Sequence, residues 1–143
     1  MDTLEKLYQY CADRGIVIEN HSIHSSLSGL FLKIDDCPPV IILNPELESD
    51  RDKLIEVLAE EIGHYETTSG NFTRKLSRYS DKIELTKVEE KAVRWACDFL
   101  VSDEDVLDYL SQSIEPYEIC QMLDIPSFIL DKKIYFMKLK NKL

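Results

Sequence analysis

Leu58-Ala59-Glu60-Glu61-Ile62-Gly63-His64 is the stretch on which the fold of this chain turns. Four-residue spacing puts Glu60 and His64 on one side of a helix, with Cβ atoms roughly 5–6 Å apart, which suits two ligands of one cation. Glu61 lies roughly a quarter to a third of a turn round, where its carboxylate can reach a water held by such a cation. Paired glutamates are also common on solvated helix faces, so the spacing alone leaves both readings open.

The pattern is that of the zinc-peptidase helix HExxH with glutamate in place of the first histidine. In the intact motif the two histidines hold zinc and the intervening glutamate is the general base. Zinc accepts carboxylate oxygen as well as imidazole nitrogen, so Glu60 is admissible beside His64. A metal can lower the pKa of its bound water from about 15.7 to about 7, and a carboxylate at position 61 could then take the proton.

At 143 residues the chain is long enough for one core, and 44% hydrophobic with 31% charged residues describes a globular protein. No apolar run approaches the ~20 residues needed to span a bilayer. The opening MDTLEKLYQYCADRG is acidic and helical in pattern, unlike a secretory signal, so a cytoplasmic location is expected. Cys11, Cys37, Cys97 and Cys120 are scattered and read as free thiols, mostly buried. Net charge is −10, yet Lys132 to Leu143 carries five lysines and no acid, leaving the rest at −15. An acidic body argues against nucleic acid as a direct partner. The lysine tail could touch an acidic partner but reads first as a solvated helix end.

Along the chain the pattern is α+β. Leu4, Leu7, Tyr8 and Cys11 mark a helix over 3–13 that ends at Gly15. Ile16 to Ile18, Leu27 to Ile34 and Val40 to Leu43 read as strands, the last stopped by Asn44-Pro45. Ser49, with Asp52 three residues on, is the expected N-cap of the motif helix, and Glu66 to Gly70 its exit loop. Residues 71–85 have no period and read as a long connection. A helix beginning near Thr86 has the stripe Val88, Ala92, Trp95, Ala96 and Phe99, with Trp95 expected in the core. Shorter helices run from Ser102 to Leu110, Tyr117 to Leu123 and Phe128 to Leu139. One domain over 1–143 is expected, with helix, small sheet and motif helix in 1–70 and the connection and helical part in 71–143.

GLFLKID followed by PPVIILNPEL, then LAEEIGHYETTSGNF, then VEEKAVRWACDFLV, taken in that order, resemble the ImmA/IrrE family of metallopeptidases, particularly its phage and mobile-element branch, where EExxH also occurs. The resemblance implies a minimal zincin-like domain, a small twisted sheet packed against the motif helix, with a helical C-terminal half. It also implies a third metal ligand from a downstream helix, a glutamate shortly before an aromatic–Ala pair. Trp95-Ala96 is that pair here, and Glu89 the matching residue, with Glu90 as the neighbouring substitute. Thr86-Lys87-Val88-Glu89 is equally a capping box.

The function implied by the resemblance is that of a metal-dependent endopeptidase, with Glu60, His64 and Glu89 on the metal and Glu61 as base. Zinc is the ion implied by the family, although two carboxylates and one imidazole shift preference towards Mn²⁺ or another hard cation. The role implied is cleavage or inactivation of a helix-turn-helix repressor of a phage or mobile element, without direct nucleic-acid contact. Tyr65 is a candidate for substrate contact, and His21 and His24 read as exposed loop residues. Two alternatives stand beside this. One is a catalytically inactive adaptor of the same fold that binds the repressor. The other is a DNA-associated regulator, from the helix-turn-helix rhythm of YEICQMLDIPSFILDKKI.

Overall fold

The computed structural model describes residues 1–23, 28–70 and 85–143, together with the backbone of 72–76. Helix α1 (Thr3–Arg14) starts where Asp2 Oδ1 accepts from the Glu5 N–H at 2.8 Å. It stops at Gly15, whose φ of 70° is the left-handed C-terminal turn that glycine adopts without strain. Strands β1 (Val17–Asn20), β2 (Gly29–Lys33), β3 (Val40–Leu43) and β4 (Phe72–Leu76) form one mixed sheet in the order β1-β3-β2-β4. β3 runs parallel to β1 and antiparallel to β2, and β2 runs antiparallel to β4. Phe31 lies directly opposite Ile41, and both are fully buried beside Leu43, so one face of the sheet is core.

β4 corrects the expected connection over 71–85. FTRKL has no apolar alternation to announce it, and it gains its hydrogen bonds from β2 at the edge of the sheet. Residues 71 and 77–84 lie outside the described residues.

A 3₁₀ turn, Pro45–Ser49, leads into α2 (Arg51–Thr67). The N-cap is Asp50, not Ser49: Asp50 Oδ1 accepts from the Lys53 N–H, while the Ser49 hydroxyl donates to the Glu46 carbonyl at 2.8 Å. α2 carries the motif, and every residue from Leu54 to His64 is buried. It is a core helix covered all round, not an amphipathic surface helix.

The remaining helices are α3 (Lys87–Leu100), α4 (Asp103–Ser111), α5 (Pro116–Leu123) and α6 (Ser127–Leu139). α3 is the wall between two cores. Ala96 belongs to the cluster of α1, α2 and the sheet, whereas Val93 and Cys97 belong to the cluster of α4, α5 and α6. The buried face of α3 is thus Glu89, Ala92, Val93, Ala96 and Cys97, rotated from the expected stripe. Val88 and Phe99 are exposed, and Trp95 is a half-buried flank stacked on Phe99 and edge-on to Tyr10. Both stripes fit helical spacing, and a buried glutamate disguised the true one.

Arg51 at the start of α2 ties the two ends of the chain together. Its guanidinium pairs with the carboxylate of Asp124 in the α5–α6 turn, which also accepts from the Thr3 N–H at 3.2 Å, and Asp2 lies 3.6 Å away. The lysine tail is not simply solvated either. Lys133 is 2% exposed and reaches Asp98 at 2.9 Å and Asp103 at 2.6 Å. No helix among the described residues is long and apolar enough to cross a membrane.

Candidate metal centre

α2 and α3 cross at Gly63. A Cβ placed there would lie 2.2 Å from the carbonyl oxygen of Ala92 and 2.8 Å from its carbonyl carbon, so only glycine permits the contact. Glycine inside a helix costs about 1 kcal/mol relative to alanine, a cost offset here by the approach of the two backbones. Glu60 precedes Gly63 by three residues and His64 follows it, while Glu89 precedes Ala92 by three. Glu60 and Glu89 each lie one turn before the crossing on their own helix, and His64 lies one turn beyond Glu60. Glu60, Glu61 and Glu89 are 1% exposed and His64 is fully buried.

Of the two candidate third ligands, Glu89 is the buried one. Glu90 points away, half-exposed, with its Oε1 3.5 Å from Arg94. The capping box is also present: the Thr86 N–H donates to Glu89 Oε1 at 3.0 Å and the Glu89 N–H donates to Thr86 Oγ1 at 3.1 Å. A cap of this kind uses one carboxylate oxygen of two, so capping and ligation are compatible roles. Among the described residues, no three His, Cys, Asp or Glu side chains stand together as a ready-made ligating cluster. Helix packing thus supplies the donors and their burial, with Glu89 turned to its own cap.

The C-terminal end of α2 is clamped behind His64. The Thr68 N–H donates to the His64 carbonyl at 3.0 Å, and the Thr67 hydroxyl donates to the Gly63 carbonyl at 2.8 Å. Lys33 at the end of β2 donates to the Tyr65 carbonyl at 3.2 Å and the Thr68 carbonyl at 3.0 Å. A cation at a helix C-terminus also complements the dipole. The same ammonium lies 4.9 Å from the centre of the Tyr65 ring, so Tyr65 packs between Lys33 and the core.

Gly63, Lys33 and Glu56 were not singled out from sequence. Gly63 had a signal, since glycine in mid-helix implies a close approach. Glu56, fully buried one turn before Glu60, had the signal of spacing. Lys33 had none. His21 is largely exposed and its Nε2 lies 3.0 Å from Glu19 Oε2, away from the crossing, while His24 lies outside the described residues. All four cysteines are free, with Cys11 and Cys97 buried, Cys120 half-buried and Cys37 exposed. Burial pushes the Cys11 thiol up to about 12, which keeps it protonated and unreactive.

A family model, Peptidase_M78, described as the IrrE N-terminal-like domain, matches residues 11–134. No curated protein and no solved structure matches the chain. The matched span runs from α1 into α6 and includes Glu60, Glu61, His64 and Glu89. With a small mixed sheet against the motif helix and a helical C-terminal half, the chain has an α+β, small zincin-like fold and belongs to the ImmA/IrrE family of metallopeptidases.

Proposed function

We propose that this protein is a metal-dependent endopeptidase in which Glu60, His64 and Glu89 hold a divalent cation and Glu61 is the base. Burial carries the reading: four ionisable side chains on two touching helices are each 1% exposed or less. Carboxylate oxygens and an imidazole nitrogen held out of bulk water on neighbouring helices are the donor types of a metal site. One imidazole and two carboxylates fit a divalent ion in donor type, zinc by family resemblance and Mn²⁺ by hardness.

The ion, when bound, would polarise a carbonyl and ease deprotonation of water. The Glu61 carboxylate would take the proton of an attacking water and return it to the leaving nitrogen. The Gly63–Ala92 contact holds the two donor-bearing helices together, and the Lys33 clamp fixes the turn behind His64. The family resemblance supports a helix-turn-helix repressor of a phage or mobile element as the protein cleaved.

Metal content of the purified chain, measured by elemental mass spectrometry, tests the site. About one ion per chain is expected, lost in His64→Ala and in Glu89→Ala. Undiminished metal in both variants would show the ligands to be others. Glu61→Gln should keep the metal and slow peptide hydrolysis by about 10²–10⁴-fold. Glu60→His should raise zinc affinity, since it restores a softer ligand and removes a negative charge.

A second reading, an inactive adaptor that binds the repressor through the same cleft, is favoured by the engagement of Glu89 in its cap and by glutamate at position 60. On that reading Glu61→Gln leaves relief of repression intact.

A further inference from the structure

A cleft between the C-terminal end of α3, the start of α4 and the last turns of α6 takes no part in the chemistry above. It encloses about 210 Å³ over a floor that includes Phe136 and Met137. Four cations, Arg94, Lys133, Lys140 and Lys142, line it against two carboxylates, Asp98 and Asp103. The local charge of +2 stands out in a chain of net charge −10. Both carboxylates are already engaged, Asp98 by Lys133 and Asp103 by Lys133 and Lys142. Arg94 lies 4.6 Å over the Phe136 ring, and its Glu90 neighbour is only at 3.5 Å, the loose end of an ion pair. Lys140, exposed at the end of α6, completes the rim.

We propose that this cleft docks an acidic segment of a protein partner, seating a carboxylate between Arg94 and Lys140 above Phe136. Charge complementarity selects the occupant. Duplex nucleic acid carries a charge about every 1.7 Å and would press further phosphates onto the surface of a chain whose net charge is −10. A peptide delivers one or two carboxylates and leaves the rest of that surface alone. Docking there requires neither a metal nor Glu61.

The test is an amide-shift NMR titration of the full chain with a short synthetic peptide alternating Glu and Leu. Wild type is compared with Arg94→Glu, Lys140→Glu and Lys132→Glu. Lys132 lies on α6 outside the cleft, against the Tyr135 ring at 5.3 Å, so its variant makes the same change in net charge elsewhere. Saturable shifts confined to the cleft are expected, with binding weakened about tenfold by Arg94→Glu and Lys140→Glu and less than about twofold by Lys132→Glu. Equal weakening by all three would reduce the effect to general electrostatics and overturn the proposal. So would the absence of saturable shifts, or tighter binding of a duplex oligonucleotide to the same residues.

Discussion

On α6 the ammonium of Lys133 is buried beside two aspartates that themselves reach solvent, and the charges balance within the chain. On α2 and α3 three carboxylates, Glu60, Glu61 and Glu89, are buried together with the His64 imidazole. The first arrangement is a structural fastening. The second is the donor set on which the proposed cation site rests. Burial alone does not separate the two; the sign of what is buried does.

Gly63→Ala should break the comparison hardest. The obstacle is the Ala92 carbonyl and not its methyl group, so no smaller side chain at position 92 can make room. A stability loss of about 3 kcal/mol, at the upper end for overpacking, is expected in urea unfolding, together with loss of bound metal. Lys133→Met strikes the balanced side instead. It should cost about 1–3 kcal/mol, less than a fully buried pair because Asp98 and Asp103 are partly exposed, and leave metal content unchanged.

The pH dependence sharpens the same contrast. Hydrogen bonds from Lys133 and Lys142 hold the Asp103 carboxyl at about 2, below its ordinary 3.8. A carboxyl depressed on folding stabilises the folded state above its unfolded value, and that contribution is lost as pH falls from 3.8 through about 2. Thermal melts should show this acid loss in the wild type and a smaller one in Lys133→Met. Thr86→Ala is the mildest change. Losing the cap should cost about 1 kcal/mol without metal and less with it, if ligation draws Glu89 from the box.

Much of the fold was legible because short-range rules determine it. Gly15 ended α1, Asn44-Pro45 ended β3, and the Thr86 and Ser102 caps opened α3 and α4 at the expected residues. The position of Glu89 on α3 was also legible, along with its capping role, since both are local in sequence. What could not be read were the long-range contacts. β4 depends on a partner strand, the buried face of α3 on which of two stripes meets α2, and Lys133 on aspartates brought in by α3 and α4. Gly63 belongs with these, because its reason lies on another helix.

The Arg51–Asp124 pair has a consequence for how the molecule comes apart. As a partly exposed ion pair it adds little free energy by itself. Its effect is one of connectivity, joining the first turn of α1, the first turn of the motif helix and a turn 121 residues away along the chain from Thr3. Thr3 and Arg51 both hold Asp124, so opening the first turn of α1 breaks contacts of the α5–α6 turn as well. Hydrogen exchange at the first turn of α1 and at the α5–α6 turn should therefore both quicken slightly, and together, in Arg51→Ala.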